Sequence, residues 1–135
     1  MAKGRTVFIQ AHNDRYKDAR ALLRAGRWGG AIYLGRYVIE CLLKARILKE
    51  KRTGELPRDY WHHDLLRLMD VSRVTWEPTL QQNQVIQAYM TLIAANWDVT
   101  MRYGSTQLVD RHEATNFLEA VRKVTRWLRD SLRSP

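Results

Sequence analysis

The sequence predicts an all-α protein: a four- to five-helix antiparallel up-and-down bundle forming one domain over residues 1–135. Three observations support this prediction. Apolar residues recur at spacings of three and four along extended stretches, which is the period of a helix. Prolines, which interrupt helices, occur only at positions 57, 78 and 135. No segment alternates apolar and polar residues for long enough to predict a strand.

The first two predicted helices occupy the N-terminal third of the chain. The first covers about residues 9–25, carries an apolar stripe and ends at Gly26. The second runs from about Trp28 to Lys51, and its middle is apolar on almost every side, which is typical of the central helix of a bundle. Gly35 within it leaves room for a neighbouring helix.

The middle of the chain predicts one short and one long helix. The short helix covers about residues 63–71 and has Leu65, Leu66, Leu68 and Met69 for its buried side. Pro78 suits the first turn of the long helix, which we expect to continue to about Met101. Its apolar stripe consists of Val85, Ile86, Tyr89, Met90, Ile93 and Trp97.

The last predicted helix covers about residues 111–132, with Asp110 as its N-cap. Its apolar stripe consists of Ala114, Phe117, Leu118, Val121, Val124, Leu128 and Leu132. Trp127 lies outside this stripe among several basic residues. We therefore expect an exposed Trp127 at the interface of a homodimer.

The charge balance indicates the kind of partner. The 23 Lys and Arg residues outnumber 14 Asp and Glu residues, giving a net charge of +9 that attracts polyanions. We expect no secretory signal, because the N-terminal segment is charged and has no long apolar stretch. We expect no transmembrane span, because four charged residues interrupt the apolar stretch 31–48. Cys41 cannot form an intrachain disulfide and lies in an apolar segment. We expect a cytoplasmic protein that does not contact membranes, with Cys41 as a buried apolar residue.

The charged residues suggest a polar site without a cofactor or metal. His62, His63 and Asp64 are adjacent, and neighbouring side chains on a helix diverge by about 100°, so no metal site is expected. Instead His63 or Asp64 is expected to cap the short helix. Glu40 and Lys44 have i, i+4 spacing, which favours either an internal ion pair or a groove in which Lys44 contacts phosphate.

Arg102 and Tyr103 precede a glycine turn. One interpretation is structural: the arginine hydrogen-bonds the last helical carbonyls and the tyrosine packs beneath the turn. The other is a clamp in which Arg102 binds phosphate and Tyr103 stacks on a base.

Three segments together resemble the HEPN domain family. They are AIYLGRYVIECLLKARI, ELPRDYWHHDLLRLMD and WDVTMRYG, in that order. The family pattern has a Glu and a Lys four residues apart on a buried helix, as in Glu40 and Lys44. A His-Asp-Leu-like sequence and an Arg-Tyr pair follow it, matching residues 63–65 and 102–103. The resemblance covers essentially the whole chain.

The resemblance implies a helical bundle that commonly forms homodimers and acts in prokaryotic toxin–antitoxin, defence or nucleotide-handling systems. Many relatives pair with a minimal nucleotidyltransferase. Others are metal-independent ribonucleases with an Arg and a His separated by four to six residues late in the bundle. This sequence lacks that His after Arg102, and Arg111 and His112 are adjacent. Arg58 and His63 have the spacing but precede the short helix.

The sequence-based hypothesis is therefore a dimeric HEPN-type binding module. It partners a nucleotidyltransferase or binds nucleotide or RNA. One alternative is a metal-independent ribonuclease toxin of the same fold, with Arg102, Arg111 and His112 as its candidate catalytic residues. The other alternative is a structural accessory subunit without a ligand.

Overall fold

The computed structural model describes residues 4–95 and 109–133, without the side chain of Trp76. These residues form helices and connecting turns and contain no strand, which confirms the predicted all-α fold. The helices are α1 (Arg5–Arg24), α2 (Trp28–Lys51), α3 (Leu65–Val71), α4 (Pro78–Gln81), α5 (Gln84–Ala95) and α6 (Arg111–Arg133). Two 3₁₀ turns, Arg58–Tyr60 and Val74–Trp76, flank α3.

The long helices alternate in direction. Arg5 at the start of α1 donates to the Leu132 carbonyl near the end of α6, at 2.7 Å, so these two helices are antiparallel. Lys49 near the end of α2 donates to the Ser131 carbonyl, also near the end of α6, so α2 runs parallel to α6. Asn83, just before α5, lies near Trp127 in the last third of α6, so α5 and α6 are antiparallel.

Helix α2 is the centre of the core. It is buried without interruption from Val38 to Leu48, and it packs against α1, α3 and α6. Gly35 permits the close approach of α6, because a Cβ built at this position would lie 2.6 Å from Leu118 Cδ2 and 3.3 Å from Phe117 Cε1. The predicted stripe of α6 is buried along its full length, as expected for a helix with one core-facing side.

The structure corrects the predicted course of the fourth helix. Instead of one helix from Pro78, it forms the single turn α4 and then α5, separated by Gln82 and Asn83. The Asn83 side chain accepts a hydrogen bond from the Ile86 backbone amide at 3.1 Å, which satisfies a free N–H at the start of α5. The predicted end at Met101 lies outside the described residues.

Two residues assigned to buried stripes are exposed instead. Leu66 is 67% exposed and Val85 is 60% exposed. Both have apolar neighbours that take the core-facing positions, namely Leu65 and Ile86. Because a helix turns by about 100° per residue, Leu65 and Ile86 face the core while Leu66 and Val85 point away from it.

Both predicted N-caps are present. Asp64 accepts from the Arg67 amide at 3.2 Å and so begins α3 at Leu65. Asp110 accepts from the Glu113 amide at 2.7 Å and begins α6. The cap at Asp64 rather than His63 leaves the histidine ring available for other contacts.

Candidate functional site

A buried carboxylate organises the polar site on α2. Glu40 is fully buried and accepts from three donors. Its Oε1 lies 3.4 Å from an Arg36 guanidinium nitrogen, and its Oε2 lies 3.2 Å from Lys44 Nζ. His63 Nδ1, from the loop before α3, lies 2.8 Å from the same Oε2. The predicted Glu40–Lys44 pair is therefore part of a larger network.

The segment that carries His63 is held in place by α2. Arg36 donates from its second terminal nitrogen to the His63 backbone carbonyl. The Tyr37 ring packs beside the His63 ring with centroids 5.8 Å apart. The His63 side chain is 49% exposed, whereas its partner Glu40 is fully buried. The buried Glu40 carboxylate thus orients the His63 imidazole, which remains partly accessible to solvent.

The network has more positive than negative charge. Arg36 and Lys44 are two cations around the single Glu40 carboxylate. Burial lowers the pKa of Arg36 to about 10, against the raising effect of Glu40, so Arg36 stays charged at neutral pH. Asp64, whose charge also acts on Arg36, is exposed and caps α3. One surplus positive charge therefore remains beside the pocket described next, which favours an anionic ligand.

A pocket of about 300 Å³ opens next to this network. We call it the Lys44 pocket; it is lined by Phe8, Tyr37, Glu40, Cys41, Lys44, Leu56, Trp61 and His63. Trp61 is 47% exposed, and its indole N–H donates to the Leu56 carbonyl at 2.7 Å, which fixes the ring at the edge of the pocket. Lys44 Nζ has three donor hydrogens, of which Glu40 accepts one.

The thiol of Cys41 in this pocket is not a nucleophile. Burial, together with the nearby Glu40 charge, raises the pKa of Cys41 to about 12. The thiol is therefore protonated at neutral pH, and the thiolate is the reactive form. Cys41 acts as a buried apolar residue, as its sequence context indicates.

The other predicted site residues lie elsewhere or outside the described residues. Arg102 and Tyr103 fall in the segment 96–108, which lies outside them. Arg111 and His112 are exposed at the start of α6, where His112 contacts Asn116 at 3.1 Å. Arg111 lines a different pocket, near Trp28.

Trp127 differs from its predicted exposure. It is half-buried and packs against the core, while part of its surface lines a shallow groove with Arg126 and Val85. Its position on α6 explains this difference: Trp127 directly precedes the buried Leu128, so its large ring reaches the edge of the α5–α6 contact.

Arg36 was not among the predicted site residues. The signal was present, because Arg36, Glu40 and Lys44 follow one another at four-residue intervals on one side of an otherwise apolar helix. No sequence pattern indicated that Trp61 belongs to the site. Its place in the pocket depends on the loop from Leu56 to His63 folding back over α2.

These features define an all-α bundle with a charged network buried on its central helix. A comparison with protein-family models matches residues 7–131 to the HEPN domain, so the chain belongs to the HEPN domain family. Membership of this family supports a module that is related to nucleotides or RNA, or a protein of the ribonuclease type. Searches of curated proteins and of solved structures found no match.

Within 4–95 and 109–133, no three His, Cys, Asp or Glu side chains converge in a way that suits a metal ion. No helix in the same ranges combines the length and apolar character that crossing a bilayer requires.

Proposed function

We propose that this chain is a HEPN-type binding module that holds a nucleotide or a single-stranded RNA segment in the Lys44 pocket. The observation that carries the proposal is the surplus positive charge of the Arg36–Glu40–Lys44 network beside an exposed, fixed Trp61 ring. Lys44 donates to a phosphate oxygen, and Trp61 provides a stacking surface for a base.

The wider context of the proposal comes from the family. The module acts in a prokaryotic toxin–antitoxin, defence or nucleotide-handling system, as a homodimer and with a nucleotidyltransferase as its partner protein. Trp127 contributes to the dimer interface through its exposed part. Arg102 and Tyr103 form the second part of the ligand site, with the arginine on phosphate and the tyrosine on a base.

The test is a calorimetric titration in EDTA at low salt, with ATP and with a single-stranded RNA of mixed sequence. We expect Lys44→Gln to weaken binding about tenfold or more, since a hydrogen bond to a charged group contributes about 1.5–3 kcal/mol. Trp61→Leu should remove a contribution of about 1–3 kcal/mol that persists at high salt. Lys17→Gln, an exposed site on α1 with the same charge change, is the control.

Salt dependence separates phosphate contacts from stacking. In a plot of the logarithm of the binding constant against the logarithm of the salt concentration, the slope should be about −0.7 per phosphate contact for a single strand. Arg102→Ala should reduce that slope, and Tyr103→Ala should remove salt-resistant binding. If folded Lys44→Gln and Trp61→Leu proteins bind as the parent does, the ligand does not occupy the Lys44 pocket. If the parent binds neither ligand, the ligand-free accessory subunit becomes the better account.

The His63–Glu40 contact favours one second candidate, a metal-independent ribonuclease. Cleavage needs a base for the 2′-hydroxyl and a cation for the charge that develops on phosphorus. His63 is oriented by a buried carboxylate, and Lys44 supplies a cation on the same carboxylate. Because the late Arg-to-His motif is missing after Arg102, we expect no robust activity.

An RNA incubation in EDTA distinguishes the two candidates. Metal-free cleavage that disappears in His63→Ala and persists in His112→Ala would establish a ribonuclease built on the His63–Glu40 pair. Cleavage lost in an Arg102→Ala/His112→Ala double variant would instead place the site at the start of α6.

A further inference from the structure

A second charged cavity lies between α1 and α6. It has a volume of about 470 Å³. We call it the arginine groove; it is lined by His12, Asn13, Tyr16, Arg122, Thr125, Arg126, Arg129, Asp130 and Arg133. None of these residues lines the Lys44 pocket. The site is therefore separate from the one in the proposed function.

Two of the four arginines of the groove form no ion pair, although Asp130 also lines it. The four arginines at positions 122, 126, 129 and 133 recur at three- and four-residue spacing and so share one side of α6. Glu119 pairs with Arg122 at 2.7 Å, and Asp130 lies 3.9 Å from Arg133. Among the ion pairs of residues 4–95 and 109–133, none involves Arg126 or Arg129. Two adjacent guanidinium groups are thus available to an anion.

A buried histidine in this groove lacks one hydrogen bond. His12 is 1% exposed, and its Nδ1 lies against the Ile9 backbone carbonyl. A carbonyl only accepts, so Nδ1 carries the ring proton and donates it. Its Nε2 has no partner among the described residues, and neither does the buried hydroxyl of Thr125 in the same groove. Burial lowers the pKa of His12, which favours the neutral ring with Nε2 as an acceptor.

An acceptor beside two cations has a specific chemical requirement. The arginines attract an anion, but Nε2 is satisfied only by a ligand group that donates a hydrogen bond to it. A singly protonated phosphate monoester has both properties: anionic oxygens and a P–OH group. Its second pKa is about 6, so about half of it carries this proton at pH 6. Sulfate and phosphate diesters are anionic at this pH but carry no acidic O–H.

We infer that the arginine groove binds a phosphate monoester, with Arg126 and Arg129 on its anionic oxygens and its P–OH donating to His12 Nε2. The Thr125 hydroxyl donates to a further phosphate oxygen. The volume falls within the range of about 300–1,000 Å³ that is usual for small-molecule sites and exceeds what a phosphate group alone needs. Tyr16, from α1, also lines the groove and is the aromatic residue available to an organic group.

The test uses the His12 imidazole as a local probe. Its ¹H–¹³C NMR signal, assigned with His12→Gln, is followed at pH 6 during titration with inorganic phosphate, AMP, sulfate and a single-stranded RNA that lacks terminal phosphates. We expect phosphate and AMP to shift the signal saturably, and sulfate to bind about two- to tenfold more weakly because one neutral hydrogen bond is lost. Arg126→Gln and Arg129→Gln should each weaken phosphate binding about tenfold or more.

Lys123→Gln changes the same charge on an exposed position of α6 outside the groove and should alter binding by less than about twofold. The inference is overturned if sulfate binds as tightly as phosphate, if the RNA alone shifts the His12 signal, or if Lys123→Gln acts like Arg126→Gln. Because the His12 signal reports on the arginine groove, a negative result there does not test the Lys44 pocket. That pocket is tested separately by the Lys44→Gln and Trp61→Leu variants.

Discussion

Replacing Glu40 by Gln is the sharpest test of the buried network. The substitution keeps the shape of the side chain but removes the single negative charge of the network that Glu40 forms with Arg36, Lys44 and His63. The amide has one acceptor oxygen, and its NH₂ group faces donors. Removing one partner of a buried ion pair typically costs about 3–5 kcal/mol, because the remaining charge is left uncompensated. That cost is a large part of the roughly 5–15 kcal/mol by which a domain is stable.

The assay is urea denaturation followed by tryptophan fluorescence and circular dichroism, which together test two-state behaviour. Glu119→Gln is the matched control. Glu119 contacts Arg122 at 2.7 Å, closer than Glu40 is to either of its cations, but both partners are about half exposed. We expect this control to unfold like the parent, since exposed ion pairs contribute little.

Burial, rather than distance, is therefore the variable under test. The reasoning is refuted if Glu40→Gln unfolds with the same free energy as Glu119→Gln. A third protein, Arg36→Met/Glu40→Leu/Lys44→Met, should recover much of the lost stability, because apolar replacement of a whole buried ionic network is often neutral or stabilising. That protein is also a folded test of ligand binding without Lys44.

Three further predictions concern packing, pH and assembly. Gly35→Ala should be about 1–3 kcal/mol less stable than Gly29→Ala, because the new Cβ meets α6 only at Gly35; equal stabilities in denaturation would refute the close approach. The pKa of His12 is lowered by burial, so the unfolded state binds protons more readily and the free energy of unfolding should fall as pH drops below 6.5. The dependence of this free energy on pH should be weaker in His12→Gln. Part of it should remain, because the pKa of His62 is also lowered. An unchanged dependence contradicts this prediction. Light scattering at about 50 µM should show a dimer that Trp127→Ala weakens, whereas a monomeric parent would exclude the dimer proposal.

Most of the fold was predictable because its signals are local. The stripe of α6 and the nearly uniform apolar middle of α2 each specify a helix and its buried side from sequence spacing alone. The break between α4 and α5 was not predicted, because Asn83 fits either a helix interior or a cap, and the choice depends on packing. The exposure of Leu66 has the same cause: both it and Leu65 are apolar, and only tertiary contacts decide which one faces the core.

The candidate site was predictable only where its residues share a helix. Glu40 and Lys44 are four residues apart, so helix geometry alone brings them together. The contact between Glu40 and His63 spans 23 residues and depends on how the loop before α3 folds onto α2. His12 and Arg129 are still further apart in sequence, and their approach follows from the antiparallel packing of α1 and α6.

Amide chemical-shift mapping with ATP at low salt tests the central claim most directly. A binding module that uses the Lys44 pocket predicts saturable shifts that cluster on Tyr37, Lys44, Trp61 and His63 and that disappear in Lys44→Gln. Shifts that are absent at low salt, or that avoid these residues and occur only elsewhere on the bundle, would contradict the claim.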